Sequence, residues 1–424
     1  MRAILLLAIS MLAAGTPLEA AFTAGSTGAD GALVFPPGDG SPQTIDFDPA
    51  GFPTPLDQDG DGVYHFTSVT IPANVTVRLR ADRCGYHPLY WLSSGPVLIA
   101  GTLDLSGEIP VEVPYGILTR PTIPGPGGFP GGVGEVSDLA LAQPGFGPGG
   151  GQYPRASGSH ATAGFLAFGF PPYGNPFLVP LIGGSGGAGS PRDNSIQMPI
   201  PTVLSGGAGG GAILIASDTS IVVAGEILAL GGDKVDGREG GVFPQVNLSG
   251  AGSGGAIRLV APNISGSGKI ATRRGEFDYS PAPGGDGRVR MEALEDTFSG
   301  PVLGSSRRVT LLDTTPLGLP SDYPTAAVTV TSIGGVAVPV RPGGGFAAPD
   351  LELDDAAPTQ FEIEARHVPI GTTVTVYLFN ETSFVESIVS EPLTGSITNS
   401  STTASAALKH GFTRGFAVAT WSNP

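Results

Sequence analysis

The chain has 424 residues, with 67 Gly, 41 Pro, a single Cys, 14% charged residues and a formal net charge of −16. So acidic a chain with so few Lys and Arg argues against nucleic-acid binding through phosphate neutralisation. Its Gly content argues against a helical fold, and one cysteine excludes an intrachain disulfide. A hydrophobic fraction of 40%, gathered in β-branched runs, is nonetheless enough to bury a core.

The N-terminus reads as an export leader. Arg2 is a short positive region, Ala3 to Ala14 an apolar stretch, and Leu18-Glu19-Ala20 a small-residue cleavage site. The expectation is a signal peptide over residues 1–20 and a secreted mature chain beginning near Ala21. The apolar run is shorter than the ~20 residues that span a bilayer, and no later stretch predicts a transmembrane segment.

Asp57-Gln58-Asp59-Gly60-Asp61-Gly62 matches the first half of a calcium loop. Asp57, Asp59 and Asp61 are the candidate ligands, because closely spaced carboxylates suit a hard ion with several oxygen ligands. Calcium is the one cofactor the sequence suggests. The twelfth position is Ser68, not Glu, and Val63-Tyr64-His65-Phe66 reads as a strand, so a polar Asp/Gly turn is the favoured alternative. Cys84 reads as a small buried group. The five His residues stand apart, none with a neighbour at metal-ligand spacing.

Internal similarity carries the fold. Gly211-Ala212-Ile213-Leu214-Ile215-Ala216, Gly255-Ala256-Ile257-Arg258-Leu259-Val260 and Gly287-Arg288-Val289-Arg290-Met291-Glu292 are copies of one strand, each preceded by a Gly-rich turn. Ile221 to Ile227 matches Val97 to Leu103 position for position, and Ile264 to Ile270 is a looser copy. Alternation of period two predicts Ile213/Ile215, Ile257/Leu259 and Val289/Met291 inward, with Leu214, Arg258 and Arg290 outward. Stacked copies bury a face that one copy cannot. A β-sandwich with accidental similarity is the competing reading.

Between Gly107 and Gly211 the pattern breaks into Gly-dense runs such as Gly183-Gly184-Ser185-Gly186-Gly187. A structureless loop of ~100 residues is improbable in a compact domain. Extended polyglycine-like strands packed backbone to backbone are one expectation, and plain disorder is the other. The run also matches a Gly-x-Ser-x-Gly elbow literally, without the preceding strand and following helix that such an elbow needs.

Beyond Asp313 the composition changes to a Pro-rich linker, and then to alternating strands at Val328–Ile333, Gln360–Arg366, Thr373–Phe379, Thr402–Leu408 and Phe416–Trp421. These readings predict an all-β protein. A right-handed parallel β-helix (solenoid) with Gly-rich insertions covers 21–312, a linker 313–325, and an immunoglobulin-like β-sandwich 326–424.

Gly62 to Ile71, Gly101 to Gly107 and the copies at Gly211 and Gly255 resemble a loose group of uncharacterised secreted, Gly-rich bacterial β-helix proteins, with repeats similar to those of adhesins. The resemblance implies an exported or surface protein and no catalytic residues. Outward carboxylates (Asp104, Glu226, Asp286, Glu292) are scattered, without the paired spacing that glycosidic chemistry needs.

One basic cluster stands out, Arg258, Lys269, Arg273, Arg274, Arg288, Arg290, Arg307 and Arg308, with Arg258, Arg273, Arg274, Arg288 and Arg290 as the candidate ligand-binding residues. Forked guanidinium groups on one face suit the carboxylates or sulfates of an acidic polysaccharide. A solvated face paired with Glu276, Glu292 and Glu295 is the plainer alternative. The functional expectation is a secreted structural or surface protein, glycan-binding, adhesive or matrix-associated, with polysaccharide or a cell surface as partner. The alternative is a secreted lyase or hydrolase acting on acidic polysaccharide. Self-assembly through open sheet edges is a third reading.

Overall fold

The computed structural model describes residues 22–419 apart from 38–39, 58–60, 111, 115–119, 136–141, 153, 166–171, 192–201, 233–248, 275–282, 313–314, 322–325, 340–349, 354–357, 381–383 and 409–412. The expected leader, Asp59, Glu276 and part of the linker lie outside the described residues. No described helix is long and apolar enough to cross a membrane.

The strands of similar sequence pair side by side. Ile213 lies beside Ile257, and Ile257 beside Val289, in a nine-stranded sheet whose pairings are all parallel. Ile221 sits between Val97 and Ile264 in the same sheet. Ile227 sits between Leu103 and Ile270 in a six-stranded parallel sheet running from Gln43–Asp46 to Val302–Leu303. The bends between the two sheets carry Gly101, Gly225 and Gly268. A Cβ on Gly225 would stand 1.9 Å from the Gly101 carbonyl oxygen, and one on Gly268 would stand 1.9 Å from that of Gly225. Only glycine fits such an approach. The predicted inward residues Ile213, Ile215, Ile257, Leu259, Val289 and Met291 all belong to the core between the sheets, facing Val77, Leu103, Ile227 and Ile270.

The expected right-handed β-helix is corrected by the rest of the topology. The chain is all-β, but no uniform coil repeats through it: its parallel core is the six-stranded sheet with the nine-stranded one, and other sheets are antiparallel. The described residues between Leu105 and Gly211 lie outside the parallel core and include a layer of extended glycine segments. There 183–190 runs antiparallel to 204–210, with Gly184, Gly187 and Ser190 donating N–H to the carbonyls of Gly210, Gly207 and Leu204 at 2.8–2.9 Å. It runs parallel to 129–135 on another side, where Phe129, Gly132 and Glu135 donate to Gly184, Gly187 and Ser190.

Every third residue thus meets the same neighbour, the periodicity of polyproline II and not of a β-strand. The segment 206–211 shows all three directions. Gly206 and Gly209 donate to Gly132 and Phe129, Gly207 and Gly210 to Gly250 and Ser253, and Ala208 and Gly211 to Glu108 and Leu105. Cβ atoms on Gly206, Gly207 and Gly209 would each meet a neighbouring carbonyl oxygen at 1.9 Å. Backbones at that distance satisfy one another's polar groups, which is how an interior with so few side chains avoids unpaired amides. The described glycine segments therefore pack backbone to backbone.

The outward face of the nine-stranded sheet is also covered. Tyr90, Leu92, Leu214 and Val260 form a second core with Phe22, Ala24, Leu178, Leu181 and Leu311, against which Leu317 and Leu319 pack. Leu214, expected outward, is fully buried.

The C-terminal region makes two antiparallel sheets. The five-stranded one runs Val336–Ala337, Ala327–Ile333, Thr359–Arg366, Asn399–Ala406, Thr394–Ser396, and the three-stranded one Phe384–Val389, Val374–Asn380, Thr413–Ala419. Phe361, Ile363 and Ala404 from the first sheet share a core with Val374, Val376 and Leu378 from the second. The Phe384–Val389 strand was not expected from the sequence.

Candidate functional site

Arg258 and Arg290 occupy neighbouring positions on parallel strands, on the side predicted. They do not face solvent, for the second core and the segments over it cover that side. Arg258 is 2% exposed, Arg290 8% and Glu292 2%. The Arg258 Nε donates to Glu292 Oε1 at 2.8 Å, and its two terminal nitrogens donate to the carbonyls of Leu317 at 2.6 Å and Pro316 at 2.7 Å. Arg290 makes a forked pair with the same carboxylate, at 2.9 and 3.1 Å, and stacks over the Phe177 ring at 5.3 Å. Burial lowers the Arg258 pKa, and the Glu292 charge opposes that shift. Chemically this is a clamp: two guanidinium groups share one carboxylate, leaving one net positive charge, and their remaining N–H groups hold the covering segments.

Arg288 stands apart from that clamp, at the margin of the glycine layer. Its terminal N–H donates to the Tyr173 carbonyl at 3.1 Å, and its Nε is buried with no partner among the described residues. Beside it the His160 ring, fully buried, stacks on Tyr173 with centroids 4.8 Å apart. His160 Nδ1 lies 2.8 Å from the Gly254 carbonyl oxygen. A carbonyl only accepts, so Nδ1 carries the proton of the neutral ring. Burial pushes the imidazole pKa down to about 4. The Tyr173 hydroxyl donates to the Gly183 carbonyl at 2.6 Å, and Ser185 Oγ donates to the Tyr173 oxygen at 2.9 Å. Ser185, the serine of the literal elbow motif, is fully buried inside the glycine layer. Serine, tyrosine and histidine here are cross-ties between glycine segments, closed to a substrate.

Arg273 is half-buried and Arg274 exposed, on the connection leaving the strand Lys269–Ala271. The structure therefore brings together Arg258 and Arg290, and leaves Arg273, Arg274 and Arg288 in separate surroundings.

Asp57 is 5% exposed with its backbone at φ +48°. Its carboxylate accepts the N–H groups of Asp61 at 3.0 Å and Gly62 at 3.3 Å, while Asp61 Oδ1 accepts the N–H of Val63 at 2.8 Å. Both carboxylates thus accept backbone N–H groups at the entry to the strand Val63–Ile71. No group of three or more potential metal-ligating side chains occurs among the described residues. Of the scattered carboxylates, Glu226 pairs with Lys269 at 3.2 Å.

Glu292 is the pairing partner that the sequence offers for this arginine face, two residues after Arg290 on the same strand, but the pair is buried and not solvated. Sequence reasoning passed over one feature. The aromatic turn Phe47-Asp48-Pro49-Ala50-Gly51-Phe52 at the first edge of the six-stranded sheet lines a cavity, and its Phe, Pro and Gly spacing was the signal available. The chain matches no known protein family, no curated protein and no solved structure.

Proposed function

We propose that this is a non-enzymatic extracellular protein, a surface or matrix component that binds glycans through a rigid body. The observation that supports this reading most is the glycine layer, in which Gly206, Gly207 and Gly209 admit no side chain. Backbone-on-backbone packing gives a stiff scaffold with little that can move. Catalysis that needs a closing loop or a titrating group draws on the opposite properties.

The arrangement of the basic residues supports binding over lyase chemistry. A uronate lyase on the repeat face would use Arg258 and Arg290, and both are consumed by Glu292 beneath covering segments. The two antiparallel sheets at the C-terminus serve in this reading as a spacer or docking unit. Phe146 of the glycine layer meets Tyr377 of that unit edge to face at 5.3 Å.

The test is incubation of the chain from Ala21 with a panel of neutral and acidic polysaccharides, scoring both retention and newly formed chain ends. Retention without new ends is the expected result. Release of chain ends from any polymer would overturn the non-enzymatic reading.

A further inference from the structure

The first edge of the six-stranded sheet ends in an open cavity. Gln43–Asp46 is the terminal strand there, and after it the chain turns through Asp48 and the short 3-10 segment Pro49–Gly51. The turn leaves a cavity of about 240 Å³ lined by Phe35, Ile45, Phe47 and Phe52, with Asp46 and Asp48 among its walls. We infer that this cavity is a subsite for one ring of a neutral sugar.

Phe52 is the ring that presents surface to the cavity, with Phe35 and Phe47 buried behind it. Phe47 meets Phe35 at 6.4 Å and Phe52 at 5.6 Å between ring centroids, both edge to face. Phe52 itself is half-buried. A pyranose ring presents C–H groups on its faces and hydroxyls around its rim. It therefore needs an apolar surface beneath it and hydrogen-bonding groups beside it.

Asp46 and Asp48 provide the polar side. Asp46 is paired with Arg78 by a forked bond, Nε to Oδ1 at 2.7 Å and a terminal nitrogen to Oδ2 at 3.2 Å. Asp48 has Arg83 at 3.7 Å and accepts the Ala50 N–H at 3.0 Å. The Asp46–Arg78 pair leaves 47% of the Asp46 side chain and 43% of the Arg78 side chain exposed. Each carboxylate oxygen has lone pairs to spare and each guanidinium has further N–H groups, so hydroxyls can bridge them in either sense.

The charge balance selects the ligand. Each carboxylate is matched by one arginine, so the cavity offers no net positive charge to a uronate or a sulfate. A wholly apolar ligand would strip water from the exposed Asp46–Arg78 pair without replacing its hydrogen bonds. A neutral saccharide meets both conditions, and the volume suits a single ring. One ring in a shallow site binds weakly, with Kd on the order of 1 mM, so retention on a polymer depends on many ends or repeats.

This inference rests on the glycan-binding reading above, and the experiment separates the two. The probes are gels containing a neutral β-glucan, a neutral galactomannan or polygalacturonate, with migration measured for the parent chain and for Phe52→Ala, Asp48→Asn and Asp46→Asn. Thermal unfolding of each variant verifies that it folds. The expected result is retardation by at least one neutral polymer, reduced fivefold or more by Phe52→Ala and by at least one of the carboxylate variants. Retardation that survives all three substitutions would overturn this site and leave glycan binding standing. Retardation by polygalacturonate alone would overturn the neutral-sugar assignment. No retardation by any polymer would overturn both readings.

Discussion

Arg258 and Glu292 face each other across adjacent parallel strands at 2.8 Å, with 2% of either side chain exposed. The pair is completed by Arg290, 2.9 Å from the same carboxylate oxygen. Burying a charge is tolerable only when it is paired and hydrogen-bonded. Replacing Glu292 with Gln leaves two buried guanidinium groups without a counter-charge. The expected loss is roughly 3–5 kcal/mol, read as a fall in the denaturation midpoint at unchanged m-value. Replacing all three members, Arg258, Arg290 and Glu292, by apolar residues of similar volume should cost less than Glu292→Gln alone. A smaller loss for Glu292→Gln would contradict the clamp.

His160 gives stability a pH dependence. Its folded pKa is lowered from 6.5 to about 4 by burial. Between those values the unfolded chain takes up a proton at this ring that the folded chain does not. Stability therefore falls as the pH drops from 6.5 towards 4, by roughly 3 kcal/mol in all. Above 6.5 this group contributes no slope. The charge facing it is Arg288, which opposes protonation further. Equilibrium unfolding of the parent chain and of His160→Gln across this window checks the effect, and the variant should show the shallower dependence.

The glycine layer predicts two classes of Gly→Ala substitution. A Cβ on Gly209 would stand 1.9 Å from the Gly184 carbonyl oxygen, so Gly209→Ala must push two backbones apart. A loss above about 3 kcal/mol or failure to fold is expected. Gly371 has open space around its Cβ position but a φ of +86°, and Gly371→Ala should cost only about 1 kcal/mol. Comparable losses at the two positions would mean that the layer yields more readily than its packing implies.

Asp57 separates a turn from an ion site. Its carboxylate accepts the Asp61 and Gly62 N–H groups, so Asp57→Ala should cost about 1–2 kcal/mol. Without bound calcium in the turn, that loss is the same in millimolar calcium and in chelator. A loss that grows in calcium would return the aspartate run to the status of a metal loop.

Cys84 is fully buried, so it should react with a maleimide only on the timescale of unfolding. Rapid labelling of the folded chain would show that the first edge of the six-stranded sheet opens locally.

The strand copies at Ile213, Ile257 and Val289, and the inward set they imply, were legible in the sequence because period-two alternation and stacking are local rules repeated along the chain. The same rules placed Arg258 and Arg290 on one side together. They could not show that this side was covered, because the covering residues Phe22, Leu181 and Leu317 lie far away in sequence and carry no strand periodicity. The glycine runs announced close backbone approach, but not which segment would lie beside which. Glycine has no side chain to record its neighbour, and the same runs suit an unstructured chain equally well. Partner choice in that layer, the loss of the uniform coil, and the conversion of an expected binding face into a buried clamp were decided by tertiary structure. There, unpaired backbone groups and buried charges find partners that no local pattern specifies.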